Sequence, residues 1–85
     1  MDYMAPPSYP PDCKAEGVEG TVALRAVIGT DGTVLNLQQV NELVDKRLVE
    51  AATEAVKRWR YKPTLLNGQP VEVITEIQVN FALAN

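Results

Sequence analysis

Side chains that could carry out covalent chemistry are scarce in this sequence. It contains no histidine, and Ser8 and Cys13 are its only serine and cysteine. A serine or cysteine nucleophile needs a general base within hydrogen-bonding distance, and the only candidate bases here are carboxylates. Ser8 also lies in an irregular segment rich in proline. The sequence therefore predicts that the domain is not an enzyme.

Residues that form metal and redox sites are equally scarce in the sequence. Because Cys13 has no second cysteine to pair with, an intrachain disulfide cannot form. Structural zinc sites need several Cys or His ligands, so a zinc site is not expected, and no other cofactor is predicted. We interpret Cys13 as a small, partly buried side chain. The alternatives are a cross-link between two chains and a reactive thiol.

Two further motifs resemble functional sites but have simpler explanations. Glu50 and Glu54 are four residues apart on a predicted helix, as a pair of carboxylates for acid–base catalysis might be. On a solvated helix face this spacing gives only mild repulsion between like charges. Residues 29–32, Gly-Thr-Asp-Gly, are not followed by lysine and a helix, so they predict a hairpin turn and not a phosphate-binding loop.

A basic and aromatic run, Lys-Arg-Trp-Arg-Tyr-Lys, occupies residues 57–62 and holds half of the lysines and arginines. Such a mixture could stack and neutralise single-stranded nucleic acid. However, the net charge of -3 and the pI of about 4.8 argue against nucleic acid as the main partner. We favour core positions for Trp59 and Tyr61, with the cations in solvent. Recognition of an acidic peptide is the remaining alternative.

The elements that would position these residues fit one small domain. The chain has 85 residues, of which 46% are hydrophobic, and it contains neither a signal peptide nor a stretch of about 20 apolar residues. Four prolines favour an extended arm over residues 1–11. Residues 12–16 predict one helical turn, because Pro11 suits the first helical position and Gly17 the end.

A β-hairpin and a helix follow the glycines at 17 and 20. Apolar residues alternate over 21–28, Asp-Gly supplies a turn at 31–32, and residues 33–40 predict the returning strand. Residues 45–59 carry an apolar stripe that predicts the main helix, capped by Asn41 or Asp45. Pro63 prevents the helix from continuing, and Asn-Gly at 67–68 predicts a turn into the final strand.

The last strand is the most informative feature of the sequence. Residues 71–83 alternate between an apolar and a mostly polar face, which predicts one strand about 43 Å long. The helix covers about 22 Å, so the strand should overhang the rest of the domain. A long strand with free edge groups invites another strand to pair with it, which predicts a binding module. Alternatively, residues 81–85 fray or fold over the sheet and bury Phe81 and Leu83.

These elements predict an α+β fold. A small antiparallel sheet of about three strands, in the order strand-strand-helix-strand, packs on one main helix. The extended proline-rich arm precedes it, together with a short extra helix.

Several motifs resemble one known family in order and spacing. They are Ser-Tyr-Pro at 8–10, Gly-Val-Glu-Gly-Thr-Val at 17–22, Gly-Thr-Asp-Gly-Thr-Val at 29–34, Ala-Val-Lys-Arg-Trp-Arg-Tyr-Lys-Pro at 55–63, Asn-Gly-Gln-Pro-Val at 67–71 and Asn-Phe at 80–81. The chain from 9 to 81 resembles the C-terminal domain of TonB-family energy transducers. The resemblance implies that residues 1–8 end a proline-rich linker and that 9–85 form the domain.

The resemblance also implies a function and a site. Such domains lie in the periplasm of Gram-negative bacteria, on a protein anchored in the inner membrane. An ExbB/ExbD motor couples the proton-motive force, through the transducer, to outer-membrane transporters for uptake of siderophore or cobalamin type. The domain captures the transporter's TonB box by strand addition, and the Tyr-Pro motif is a second contact. The residues implied are Tyr9, Pro10, Thr75, Ile77, Gln78, Val79, Asn80, Phe81, Ala82 and Leu83.

Two other classes of function remain open from the sequence. The final strand could exchange between two chains and form a homodimer. The domain could also be a sensory or scaffold part of another envelope protein. Replacing Val79 by proline is the substitution that the sequence suggests for testing strand addition, because proline removes a backbone donor.

Overall fold

The elements follow the predicted order, with two short strands added between the main helix and the last strand. The computed structural model describes Met4, residues 6–41 and residues 43–83. In chain order the elements are α1 (Pro11–Glu16), β1 (Gly20–Ile28), β2 (Val34–Gln39), α2 (Lys46–Lys57), β3 (Thr64–Leu66), β4 (Gln69–Val71) and β5 (Val73–Phe81). The predicted α+β class and the short extra helix are confirmed. The predicted arm and the chain end lie partly outside the described residues, at 1–3, 5 and 84–85.

The predicted hairpin is formed by β1 and β2, which pair antiparallel. At the turn the Gly29 N–H donates to the Thr33 carbonyl at 2.8 Å. The Asp31 carboxylate accepts from the Thr33 N–H at 3.1 Å and from its hydroxyl at 2.6 Å. These bonds to the Asp31 carboxylate lower its pKa. The pairing shifts register between Val27 and Ile28, where a bulge accommodates the turn.

Helix α2 begins where the sequence offers a capping carboxylate. Asp45 is the N-cap, and its side chain accepts the Arg47 N–H at 2.9 Å. Asn41, the other predicted cap, instead bonds to β1. The predicted apolar stripe is confirmed, with four buried side chains at Leu48, Ala52, Ala55 and Val56. Neither helix in the described part of the chain is long and apolar enough to cross a membrane.

The core lies between α2 and one face of the sheet. Its buried side chains come from β1, α2 and β5, together with Cys13 and Trp59. Tyr61 is half-buried and packs against this cluster. The predicted core positions of Trp59 and Tyr61 and the predicted burial of Cys13 are therefore confirmed, with Cys13 more completely buried than expected at 0% exposure.

The loop after α2 is fixed to the hairpin turn. The Tyr61 N–H donates to the Gly32 carbonyl at 2.9 Å, and Thr33 forms an isolated bridge with Arg60. Gly32 has φ of 87°, and a Cβ there would lie 1.9 Å from the Tyr61 carbonyl oxygen. Only glycine fits this close approach.

The prediction of a single final strand over residues 71–83 is wrong. Residues 69–71 form β4, which pairs with β3 in a separate two-stranded sheet, and the pairing is interrupted at Glu72 before β5 begins. The predicted turn at Asn67 and Gly68 is confirmed, with φ of 53° and 79°. The turn closes the β3–β4 hairpin instead of leading into the final strand. Strand β3, the first strand of that hairpin, was not predicted.

Candidate functional site

Strand β5 forms one edge of the main sheet. The strand order is β2-β1-β5, and β5 pairs with β1 from Gly20–Phe81 to Ile28–Val73. The predicted overhang is therefore wrong, because the nine residues of β5 match the nine of β1. The opposite side of β5 has no strand partner within residues 6–41 and 43–83. This leaves an open edge about 30 Å long, which we name the β5 edge.

The hydrogen bonds of β1 determine which groups of β5 face this edge. The Ala23 N–H donates to the Asn41 side-chain oxygen at 3.0 Å, and the Ala23 carbonyl accepts the Val40 N–H at 2.9 Å. The Asn41 amide also donates to the Thr21 carbonyl at 2.9 Å. Thr21 and Ala23 thus point their backbone groups toward β2. Because alternate residues in an antiparallel ladder point opposite ways, Val22 points toward β5.

This parity divides β5 into two sets of residues. Val22 is opposite Val79, so Val79 and its alternate neighbours bond to β1. The remaining residues point their N–H and C=O groups toward the open edge. Their side chains lie on the sheet face opposite α2. The residues of the β5 edge are Ile74, Glu76, Gln78 and Asn80.

The predicted partner-binding residues of β5 fall into both sets. Gln78 and Asn80 face the edge, and their side chains are exposed. The other four bond to β1 and turn their side chains toward α2, where three are buried and one is half-buried. These four are Thr75, Ile77, Val79 and Phe81. Their backbone groups pair with β1 and their side chains pack toward α2, so any contact that they make with a partner would be indirect, and their role in binding stays a prediction.

Ile74 and Glu76 face the edge but were not among the predicted site residues. The alternation that places Gln78 and Asn80 on one face also places these two there, so the period-two pattern contained the signal. Ala82 and Leu83 continue beyond β5. Ala82 is exposed, whereas Leu83 is half-buried and its N–H donates to the Glu19 carboxylate.

Tyr9 lies against the C-terminal end of β5. Its ring meets the Phe81 ring edge to face, with centroids 5.3 Å apart and planes at 81°. The Tyr9 hydroxyl donates to the Val18 carbonyl, and partial burial raises the pKa of Tyr9. Pro10 is the N-cap of α1, and its carbonyl accepts the Lys14 N–H at 3.0 Å. The two predicted contact segments are therefore adjacent in the fold.

An ionic cluster around Arg47 holds α1 in this position. The guanidinium contacts Asp12 at 3.0 Å, Glu16 at 2.9 Å and Asp45 at 3.0 Å. Hydrogen bonds from Arg47 lower the pKa of all three carboxyl groups, and they raise the pKa of Arg47 in turn. The cluster joins α1 to the start of α2. Because α1 begins directly after Pro10, the cluster also fixes the position of the Tyr9–Pro10 segment.

The opposite edge of the sheet, at β2, differs from the β5 edge. It is only six residues long and contains a bulge in its pairing with β1. It borders an open groove of about 510 Å³ beside α2. The groove is lined by Val34, Leu35, Asn36, Leu37, Thr53 and Lys57.

Comparison with known sequences identifies the family. The profile of the family described as Gram-negative bacterial TonB protein C-terminal matches residues 5–83. The chain belongs to the TonB C-terminal domain family. The protein TonB of Xanthomonas campestris pv. campestris strain B100 is 34% identical over 80 residues, covering 94% of this chain and 36% of that protein. Protein TonB of Vibrio cholerae is 31% identical over 77 residues, covering 91% and 32%.

Solved TonB domains have the same fold. The solution structure of the Pseudomonas aeruginosa TonB C-terminal domain matches with a TM-score of 0.84 and 25% identity, covering 98% of this chain and 84% of that one. The TonB2 protein of Vibrio anguillarum matches with a TM-score of 0.71 and 30% identity, covering 93% and 76%.

The match concerns one part of the larger relatives, because the chain spans about a third of the length of these TonB proteins. The predicted membership of the TonB family is confirmed. TonB proteins are energy transducers of Gram-negative bacteria, and their C-terminal domains are periplasmic. The prediction that the domain is not an enzyme agrees with this membership.

Proposed function

We propose that this domain captures an extended segment of an outer-membrane transporter by adding it as a strand to the β5 edge. The observation that carries the proposal is the row of outward-facing backbone groups on four alternate residues of β5. These groups can bond a partner backbone of varied sequence, so that one domain can serve several transporters. Tyr9 and Pro10, beside Phe81, supply a second contact at one end of the same edge.

In the whole protein this capture couples the proton-motive force to active uptake. Residues 1–8 end a proline-rich linker, and 9–85 form the periplasmic domain. A region that precedes this domain in the whole protein anchors it in the inner membrane and engages an ExbB/ExbD motor. This part of the proposal draws support from the family to which the chain belongs.

The parity of β5 changes the substitution that tests strand addition. Val79 is buried and bonds to β1, so Val79→Pro would break the fold's own ladder. Gln78 is exposed and points its N–H outward, where proline is tolerated on an edge strand. Gln78→Pro should therefore leave the domain folded while removing a donor from the β5 edge.

The experiment is an NMR titration of labelled domain with a synthetic TonB-box peptide from a candidate transporter. We expect shifts at the amides of Ile74, Glu76, Gln78 and Asn80, and weaker binding by at least about fivefold in Gln78→Pro. Affinity falls because the hydrogen bond from the residue 78 N–H is lost and because the proline ring blocks the approaching strand.

Two control variants make the titration decisive. Gln78→Ala keeps the outward N–H and should bind as the wild type does. Gln39→Pro makes the same change on β2. The backbone N–H of Gln39 points away from β1, because its neighbour Val40 is the residue that bonds to β1. This variant should also bind the peptide as the wild type does. Undiminished binding in a folded Gln78→Pro, or shifts along β2, would contradict strand addition at β5.

The same open edge supports a second candidate, self-association of two chains through β5. Paired edges would form a continuous sheet across two domains. Light scattering over a concentration series would detect this dimer, and Gln78→Pro would weaken it. A monomer at all concentrations would leave transporter capture as the use of this edge. A sensory or scaffold role in another envelope protein would show as a folded monomer that binds no TonB-box peptide.

A further inference from the structure

The β5 edge presents side chains as well as backbone groups to a bound strand, and this inference rests on the proposed function. Residues directly opposite each other on neighbouring strands have side chains on the same face, about 4.5–5.5 Å apart. The side chains of a bound strand that lie opposite Ile74, Glu76, Gln78 and Asn80 would therefore meet those four. This sheet face lies opposite α2, so the contacts are made in solvent.

Glu76 is the charged member of this set. Its side chain is 67% exposed, and its ion pair is a loose one, at 3.8 Å from Arg25 on the neighbouring strand β1. Arg25 lies on the same solvent-exposed face as Glu76 but on the central strand, away from the open edge, and its side chain is 51% exposed. A carboxylate accepts several hydrogen bonds, so Glu76 retains free acceptor positions toward the open edge. A cation on the bound strand would meet it there, whereas a carboxylate would be repelled.

Ile74 is the apolar member. The residue is 69% exposed, although isoleucine is usually buried. Its partner on β1 is Val27, which is half-buried on the same face. The two form a short apolar strip that ends at the β5 edge. An aliphatic or aromatic side chain on the bound strand would extend the strip and remove apolar surface from water.

Asn80 and Gln78 continue the row with neutral polar groups. The Asn80 side-chain oxygen accepts the Thr21 hydroxyl at 3.0 Å, so part of its bonding capacity is already used within the domain. These two positions thus add little charge discrimination. Glu76 therefore determines the selectivity for charged side chains, and Ile74 determines the selectivity for apolar ones.

We propose that the β5 edge selects segments with lysine or arginine opposite Glu76 and an apolar residue two positions away, opposite Ile74. An antiparallel bound strand places the basic residue before the apolar one, and a parallel strand reverses that order. The order that binds therefore also reports the direction of the bound strand.

The test uses a neutral, strand-forming TonB-box peptide as host. Lysine, glutamate or glutamine is placed at each position in turn, and affinities are measured at low and high salt. Wild-type domain should prefer lysine over glutamate by about fivefold at one position, as cross-strand charge pairs do. The preference should vanish in Glu76→Gln, reverse in Glu76→Lys and weaken at high salt.

Matched variants separate this inference from the proposed function and from net charge. Glu50→Lys changes the net charge equally on an exposed face of α2 and should keep the lysine preference. A preference that survives in Glu76→Gln, or no preference at any position while the neutral host binds normally, overturns the inference alone. Failure of the neutral host to bind overturns strand addition, and the inference with it.

Discussion

Replacing Gly32 by alanine tests how the hairpin turn holds the loop after α2. Gly32 has φ of 87°, and a Cβ at this position would lie 1.9 Å from the Tyr61 carbonyl oxygen. Contacts of a real Cβ are not shorter than 3.0 Å, so the Tyr61 backbone must move by about 1 Å or more. The same Tyr61 donates its N–H to the Gly32 carbonyl at 2.9 Å. The substitution therefore breaks a bond and displaces a segment that packs on the core.

The magnitude has three parts. A left-handed alanine costs about 1–2 kcal/mol, of which about 0.4–1 kcal/mol is offset by the stiffer unfolded chain. The broken hydrogen bond costs about 1 kcal/mol. Forcing Tyr61 and its neighbour Trp59 out of position costs about 1–3 kcal/mol, as overpacking does. We expect Gly32→Ala to lower the free energy of unfolding by about 2–6 kcal/mol.

Gly17→Ala is the matched control. Gly17 has φ of 72°, but a Cβ there meets no atom within 4 Å. Only the cost of a left-handed alanine remains, so Gly17→Ala should lower the free energy of unfolding by about 1 kcal/mol. Urea unfolding followed by fluorescence of Trp59, the only tryptophan, measures both variants. Equal losses in the two variants would refute the steric argument.

Two other predictions concern α1. The pKa values of Asp12, Glu16 and Asp45 are lowered in the folded protein, so their stabilising contribution is complete above the ordinary carboxyl pKa of about 4 and is lost as the pH falls through the lowered values. Acid unfolding of Arg47→Gln should accordingly show a shallower fall of stability below pH about 4 than the wild type, and identical slopes would argue against the cluster. Burial raises the pKa of the Cys13 thiol and excludes reagents, so a thiol reagent should label Cys13 only as urea unfolds the domain. Fast labelling of the native protein would mean that α1 opens freely.

The sequence was informative where a local pattern determines a local structure. Asp45 before an apolar stripe indicated the start of α2, and Asp31–Gly32 indicated the hairpin turn. Gly17 was placed correctly at the end of α1, where it adopts the left-handed conformation. In each case, neighbouring residues carry both the signal and the hydrogen bonds that satisfy it.

The sequence failed where the structure depends on which strands become partners. The alternating pattern continues through Glu72, yet the chain changes partner there, from β3 to β1, because β1 ends opposite Val73. Strand β3 has three residues, too few for a periodic signal. The period-two pattern places alternate residues of β5 on one face, but it does not show which of them turn their backbone groups to the open edge, because that depends on Asn41 and Val40 bonding to the far side of β1.

The full pairing of β5 with β1 has a mechanical consequence. Tension applied along the axis of β5 loads all nine cross-strand pairs at once, in shear, and passes to the central strand of the sheet. Tension applied across the strand would instead peel the pairs apart one after another, each failing under a small force. A segment held alongside β5 would share the first geometry. The pairing of β5 with β1 therefore resists tension along the strand better than tension across it.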